Sequence, residues 1–117
     1  MILVASHSLS ALDAFGKKMA VIANNVANIQ SEGFKKGRAV LTEAPVNGVS
    51  VEISQIETPG HLRLVEEDGK MVEKEMSNVD PAQEISLSLL TKRYYQANLK
   101  VLNTNDEMLG SLLDIIQ

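Results

Sequence analysis

Two histidines and two acidic clusters are the residues of this 117-residue sequence whose side chains could support catalysis or bind a metal ion. His7 and His61 lie 54 positions apart, which is not the close spacing of a local metal-binding pair. The carboxylates of Glu66–Asp68 and Glu73–Glu75 lie in a polar stretch, without the apolar surroundings that acid–base catalysis requires. Cysteine is absent, which excludes disulfides, thiolate metal ligands and cysteine nucleophiles. We therefore expect neither an enzyme nor a bound metal or other cofactor.

Three side-chain amides offer a different kind of chemistry, the directed hydrogen bond. Asn24, Asn25 and Asn28 lie within five residues of the stretch "ANNVANIQSEGF". Asparagine is a mediocre helix former, costing on the order of 0.6 kcal/mol per position relative to alanine. Three asparagines inside a helical pattern therefore require an explanation outside the helix.

The element that carries these asparagines is predicted to be a helix near residues 7–31. Its apolar residues follow the alternating three- and four-residue spacing that keeps one face toward a partner helix. Gly33 suits the left-handed position that ends many helices. The residues of this helix predicted to form the pairing or assembly face are Leu9, Leu12, Gly16, Met19, Ala23 and Val26.

The middle of the chain is predicted to form a small, partly irregular β segment between about residues 48 and 74. Val49, Val51 and Ile53 alternate with polar residues, which indicates a strand with one buried face. Asp68-Gly69 lies between two partly apolar runs and indicates a hairpin turn.

A long C-terminal helix is predicted from residue 81. Asp80 as the N-cap and Pro81 as the first helical residue form a strong start signal. Thr104–Glu107 could cap a second helix, but the apolar spacing continues through it and favours one unbroken helix. The residues of this helix predicted to form its pairing or assembly face are Leu87, Leu90, Tyr94, Ala97, Val101 and Met108.

The length of the C-terminal helix determines the predicted architecture. A helix over 81–116 would be about 54 Å long, whereas a compact chain of this size would be roughly 35 Å across. We therefore expect an α+β, mainly α fold in one domain: an N-terminal helical part (1–36), a β part (37–79) and a C-terminal helix (80–117), the two helices being antiparallel. Their apolar faces cannot both be covered within one chain, which is typical of an assembly subunit.

Membrane and nucleic-acid partners are not expected. No apolar run approaches the roughly 20 residues of a membrane span, and the opening "MILVA" lacks the features of a signal peptide. The stretch "FKKGR" holds three basic residues without interleaved aromatics, which is weak evidence for nucleic-acid binding. If the protein leaves the cytoplasm, we expect export without a cleaved signal.

Both ends of the sequence resemble the bacterial flagellar basal-body rod and hook proteins. "ALDAFGKKMAVIANNVANIQSEGFKK" (Ala11 to Lys36) resembles the family's N-terminal signature, in which A-N-N-[ILV]-A-N is followed closely by G-[FY]-[KR]. The stretch from Ser77 to Ile115 is similar to the family's C-terminal segment, with N-V-D opening a helix, R-x-Y-x-A-N within it and D-E-M-L near its end. Together the two stretches cover just over half of the chain.

This resemblance implies a function and a location. Members of the family are axial subunits that pair their terminal helices and stack into the rod or hook after export through the flagellar type III apparatus. The implied partners are copies of the chain, other rod and hook proteins, and the export apparatus; the implied location is the basal-body rod. A soluble helical adaptor or chaperone-like module that uses the same apolar faces is the alternative.

The asparagines acquire two possible roles from this reading. A buried asparagine is satisfied in only one alignment of its helix, so Asn24, Asn25, Asn28 and Asn98 are predicted to set the register between helices within or between subunits. Alternatively, Asn28 and one neighbour bond the end of their own helix.

The type of rod protein stays open at this point. The chain is closest in size to the proximal rod proteins, but only "TPGH" (Thr58 to His61) echoes their longer connecting segment. The ending "NDEMLGSLLDI" is closer to the distal rod and hook proteins. A shortened proximal rod protein, a divergent paralogue and a chain that has lost its central domain are all compatible with these departures.

Overall fold

The chain folds as two helices that flank two small antiparallel hairpins. The computed structural model describes residues 2–117. In chain order the elements are α1 (Ile2–Ala27), β1 (Gly37–Glu43), β2 (Val49–Gln55), β3 (Leu62–Glu67), β4 (Lys70–Glu75) and α2 (Pro81–Ile116). The predicted α+β, mainly α architecture is confirmed.

Helix α2 has 36 residues and begins where the sequence predicts. The Asp80 carboxylate accepts a hydrogen bond of 3.0 Å from the backbone N–H of Ala82, and Pro81 occupies the first turn, where no partner for its nitrogen is needed. The helix continues through Thr104–Glu107 without interruption, so the single-helix prediction is confirmed.

Helix α1 differs from its predicted bounds of 7–31 at both ends. It already begins at Ile2, and the hydroxyls of Ser6 and Ser10 donate within the helix to the carbonyls of Leu3 and His7. It ends at Ala27. There the Asn28 N–H donates to the carbonyls of Asn24 and Asn25 at 3.2 Å each, and the Asn28 side chain donates to the Asn24 carbonyl as well, which interrupts the helical hydrogen bonds. Gly33 has the predicted positive φ of 65°, but it lies in a turn six residues past the helix and does not cap it.

The two helices are antiparallel, as predicted. The side chain of Asn25 bonds Glu84 near one end of the pair, and the rings of Phe15 and Tyr94 meet with centroids 5.5 Å apart further along. Both pairs show the same alignment, in which a position nearer the N-terminus of α1 faces one nearer the C-terminus of α2. Extended to the start of α1, this alignment places Ile2 at about the level of Glu107. The last turns of α2 therefore extend past α1.

The first hairpin packs on α1. Strands β1 and β2 pair with Ala39 opposite Ile53 and Leu41 opposite Val51, and both strands contact α1. The Ser10 hydroxyl accepts a hydrogen bond of 3.2 Å from the Val49 N–H, which fixes the start of β2 against the helix. The predicted β segment of 48–74 began too late, because β1 gains its strand character from β2 and α1 rather than from its own sequence.

The second hairpin is nearly independent of the rest of the molecule. Its turn residues Asp68 and Gly69 have φ of 52° and 74°, as a two-residue turn of this twist requires, which confirms the predicted hairpin turn. Strands β3 and β4 contact neither helix nor the first hairpin. They are attached to the connection after α1, where the Gly33 N–H donates to the Glu75 carbonyl at 2.9 Å.

The molecule is a long rod with a small core. Its principal extents are 81 × 25 × 18 Å and its radius of gyration is 20.8 Å, against about 13 Å for a compact chain of this size. The buried apolar residues of the described chain are Ala11, Ala14, Ile22, Met76 and Val79. Most of the large apolar side chains therefore lie outside the core.

Candidate assembly surfaces

The contact between α1 and α2 within one chain is made mainly of small and polar side chains. We call it the intrachain seam. Its only large buried aliphatic residue is Ile22. Since hydrophobic stabilisation scales with the apolar area removed from water, the hydrophobic effect contributes little to the stability of this seam. The buried residues of the seam are Ser8, Ala11, Ala14, Ile22 and Asn25 from α1, with Glu84, Thr91 and Asn105 from α2.

Many of the large apolar side chains of both helices are exposed instead. We call the surface they form the outer apolar faces. Exposed apolar side chains in this number are typical of sites of protein–protein contact. On α1 the exposed members are Ile2, Leu3, Val4, Leu9 and Val26; on α2 they are Ile85, Leu89, Leu90, Tyr94, Tyr95, Leu99, Val101, Met108, Leu109, Leu112, Leu113, Ile115 and Ile116.

None of the twelve residues predicted to pair the helices is buried. Leu12, Met19 and Leu87 are half-buried, and Leu9, Gly16, Ala23, Val26, Leu90, Tyr94, Ala97, Val101 and Met108 are exposed. On α1 the buried face is offset by one residue from the predicted one, which is a rotation of about 100° around the helix. Of these residues, Tyr94 contacts Phe15 of α1 across the helix pair through its ring. The role of the twelve in contacts between chains stays a prediction.

Asn25 joins three elements of the fold. It is 1% exposed; its side-chain oxygen accepts from the Gly37 N–H at 2.9 Å, and its nitrogen donates to the Gly37 carbonyl at 2.9 Å. The same nitrogen donates to Glu84 Oε2 at 3.2 Å. The backbone N–H and carbonyl of Gly37 at the start of β1 and the buried Glu84 carboxylate of α2 thus share one hydrogen-bond partner, the Asn25 side-chain amide of α1.

The other three asparagines make local bonds in this chain. Asn28 Nδ2 donates to the Asn24 carbonyl at 2.8 Å and to the Asn24 side-chain oxygen at 3.3 Å, at the end of α1. Asn98 Nδ2 donates to the Tyr94 carbonyl of its own helix at 2.9 Å. Of the four asparagines predicted to set the register, Asn25 alone bridges separate elements within one subunit, and such a role for the other three would require a neighbouring subunit.

Asn78 is a second bridging amide, which the sequence analysis did not single out. Its oxygen accepts from the Lys36 N–H at 2.7 Å, and its nitrogen donates to the carbonyls of Ile56 and Thr58 at 2.8 and 2.9 Å. It lies in the "NVD" motif that opens α2, so that motif ties the helix entry to the segments just before and just after the first hairpin. The motif could have drawn attention to Asn78, but it does not show which distant residues Asn78 bonds.

A charged pair fixes the base of the second hairpin. The pKa of the Glu75 carboxyl lies below its ordinary value, chiefly because Lys35 donates a hydrogen bond to it and secondarily because the Gly60 N–H does so at 3.0 Å. Lys74 lies between Glu67 at 3.3 Å and Glu32 at 3.5 Å; the pKa of Lys74 is raised, mainly by the hydrogen bond to Glu67.

A groove of about 650 Å³ lies between α1, β1 and the N-terminal half of α2. We call it the basic groove, because its lining includes Lys18, Lys36 and Arg38 beside apolar side chains such as Val40 and Leu87. In residues 2–117 no three His, Asp or Glu side chains lie close enough together to hold a metal ion. No helix of the described chain is long and apolar enough to cross a bilayer.

Comparisons with known proteins match both ends of the chain to flagellar families. A family model described as "Flagella basal body rod protein" matches residues 6–35, and one described as "Flagellar basal body rod FlgEFG protein C-terminal" matches residues 71–115. The first match covers most of α1 and the connection after it, and the second covers β4 and nearly all of α2.

Two curated relatives match almost the whole chain. The flagellar basal-body rod protein FlgC of Buchnera aphidicola subsp. Acyrthosiphon pisum (strain APS) is 27% identical over 124 aligned positions, which cover 91% of this chain and 90% of that protein. FlgC of Buchnera aphidicola subsp. Baizongia pistaciae (strain Bp) is 28% identical over 125 positions, 92% of each chain. With both terminal signatures matched in order, the chain belongs to the family of flagellar basal-body rod proteins.

Proposed function

We propose that this chain is a non-catalytic structural subunit of the flagellar rod that assembles through the outer apolar faces of α1 and α2. The observation that carries the proposal is the exposure of large apolar side chains on both helices: most buried residues of the intrachain seam are small or polar, while Leu9, Leu90 and Met108 are 56%, 45% and 52% exposed. Burying such side chains between subunits would contribute about 1.5–3 kcal/mol for each one fully covered.

The partners follow from the family and from the shape of the molecule. They are copies of this chain and neighbouring rod proteins, since an elongated subunit with apolar sides suits lateral and axial stacking in a rod. The chain reaches the rod through the flagellar export apparatus without cleavage of a signal and acts there outside the cytoplasm. The relatives named flagellar basal-body rod protein FlgC support the basal-body rod as its place.

The test is incorporation into basal bodies purified from the bacterium that carries the gene. Leu9→Glu and Leu90→Glu each place a charge on an outer apolar face without touching a buried residue. Val46→Glu is the matched control, because Val46 is 87% exposed in the turn between β1 and β2. All three variants should keep the helical content of the unmodified chain by circular dichroism.

We expect the unmodified chain and Val46→Glu in the purified basal bodies, and strong depletion of the two helix variants. Absence of the unmodified chain from basal bodies would refute the structural role. Normal incorporation of Leu9→Glu and Leu90→Glu would refute assembly through the helix faces and leave the structural role standing.

A further inference from the structure

The basic groove is an open, partly apolar site that its own chain does not fill. Phe15, Leu87, Val40 and Tyr94 are among its lining residues, and Val40 and Tyr94 are 41% and 47% exposed. A groove of this size between two helices and a strand matches the dimensions at which apolar side chains of a partner are usually received.

The charge of the groove is unbalanced. Lys18, Lys36 and Arg38 lie along it, and no ion pair found in residues 2–117 includes any of the three. The carboxylate of Glu84 also lines the groove, but it is 3% exposed and occupied by Asn25. The accessible rim is therefore positive.

The C-terminal section of α2, residues 106–116, has the complementary character. Asp106, Glu107 and Asp114 are acidic, and no Lys or Arg follows Lys100 in the sequence. Leu109, Leu112, Leu113 and Ile116 recur at the three-, four- and seven-residue intervals with which a helix anchors in a groove, and they are 39–81% exposed. This section also lies past the start of α1, so its whole circumference is accessible.

The two complementary surfaces cannot meet within one chain. The groove lies at the N-terminal half of α2, and the acidic section forms the opposite end of the same unbroken helix. Leu87 and Leu109 are separated by about 33 Å of rigid helix at 1.5 Å per residue. An occupant with the chemistry of the acidic section must therefore come from another molecule.

We propose that the C-terminal section of α2 of one copy docks in the basic groove of a second copy. The inference rests on the proposed function and names one of its contacts. Because the two surfaces differ, the contact is heterologous: each copy offers a free groove at one end and a free helix end at the other. Such contacts continue into open filaments or rings rather than stopping at a dimer.

Cysteine crosslinking in purified basal bodies tests this contact, and the absence of native cysteine makes the readout specific. The double variant Val40→Cys with Leu113→Cys places one thiol in the groove and one on the docking section. The matched control is Val46→Cys with Leu113→Cys, whose first thiol lies outside the groove. Both are treated with a short bis-maleimide and separated on a denaturing gel.

The groove variant should give a ladder of dimers, trimers and longer products, and the control should give at least several-fold less. The charge exchange Arg38→Glu with Asp114→Arg adds a second readout. In the chain that carries Val40→Cys and Leu113→Cys, Arg38→Glu alone or Asp114→Arg alone should reduce the yield of crosslinked products several-fold. The two charge changes together should restore that yield.

The failures of the two proposals are distinguishable. If the cysteine variants are present in basal bodies but the groove pair forms no ladder, or forms adducts with a different protein, docking of a second copy is refuted and the structural role is retained. If the chain carrying the cysteines and the unmodified chain are both absent from basal bodies, the proposed function itself has failed.

Discussion

Asn25 of α1 and Glu84 of α2, 59 residues apart in the sequence, share a buried hydrogen bond of 3.2 Å. Glu84 is 3% exposed, so its carboxylate depends on protein groups rather than on water. The same asparagine holds both backbone groups of Gly37. One amide thus sets where the first hairpin starts and how α1 and α2 align.

Substitution of Asn25 should destabilise the fold far more than substitution of its neighbour. Asn25→Ala leaves the two Gly37 groups and Glu84 without a partner, and each buried unsatisfied group costs about 1–3 kcal/mol. We expect a loss of at least 2–3 kcal/mol in the free energy of unfolding, measured by urea denaturation. Asn24→Ala, on the exposed side of the same turn, should change it by less than about 0.5 kcal/mol. Equal effects would contradict the bridging role of Asn25.

Gly60 and Gly16 should respond to alanine in opposite directions. A Cβ on Gly60 would lie 1.9 Å from the Met76 carbonyl oxygen, so the backbone at the base of the second hairpin would have to move. We expect Gly60→Ala to lower the free energy of unfolding by about 1–3 kcal/mol or more.

Gly16 is the control for this pair, because no atom lies within 4 Å of its added Cβ. Gly16→Ala should stabilise α1 by roughly 0.5–1 kcal/mol through helix propensity. Thermal unfolding of both variants shows whether each change raises or lowers the stability. Stabilisation by Gly60→Ala would show that the Met76 carbonyl does not lie close to Gly60.

The Lys35–Glu75 pair predicts an acid-sensitive contribution to stability. The pKa of Glu75 is lower in the folded chain than its ordinary value of 4.5. Its contribution is therefore complete above that value and is lost as the pH falls through the lower folded-state pKa. The stability advantage of the unmodified chain over Glu75→Gln should be largest near neutral pH and shrink below pH 4.5, as followed by urea denaturation across pH.

Glu73→Gln is the matched control for this experiment, since Glu73 lies exposed on the same strand and is in no ion pair found among residues 2–117. The difference in the free energy of unfolding between Glu73→Gln and the unmodified chain should not vary with pH in the same range. Because the Lys35–Glu75 pair is partly exposed, 1 M salt should reduce the Glu75 effect. A pH-independent effect of Glu75→Gln would contradict an ionic origin.

Removal of the N-cap of α2 should weaken the start of the long helix. Asp80→Ala deletes the acceptor for the Ala82 N–H, at a cost of about 1 kcal/mol in the free energy of unfolding. Asp80→Ser preserves an acceptor oxygen and should retain most of that stability. Guanidinium denaturation of the two variants separates the hydrogen bond from the charge, and an equal loss in both would assign the effect to charge.

Local signals were sufficient for some elements of the fold. Asp80 with Pro81 predicted the start of α2, and Asp68-Gly69 predicted the turn between β3 and β4, because caps and tight turns are determined by neighbouring residues. Strand β1 was missed since its partners Val51 and Ile53 lie 10 and 14 positions along the chain from the residues that they oppose. The same limit applied to Asn78, whose partners are distributed over two other segments.

The apolar spacing of α1 predicted a real surface but could not show what would cover it. Periodicity identifies side chains that avoid water, and it does not distinguish a partner in the same chain from one in another. The residues of α1 that are buried within the chain include Ser8, Ala11 and Ala14 instead. The exposed position of Leu9 and Val26 could therefore not be predicted from their spacing.

The isolation of the second hairpin makes its tip a permissive place for added sequence. Strands β3 and β4 touch neither helix nor the first hairpin, and the turn at Asp68-Gly69 has no atom within 4 Å of a Cβ added at the glycine. Exposed tips of this kind accept insertions with little effect on the remaining fold. A short epitope placed there would let the chain be followed by immunoelectron microscopy while both termini, both helices and the groove keep their native sequence.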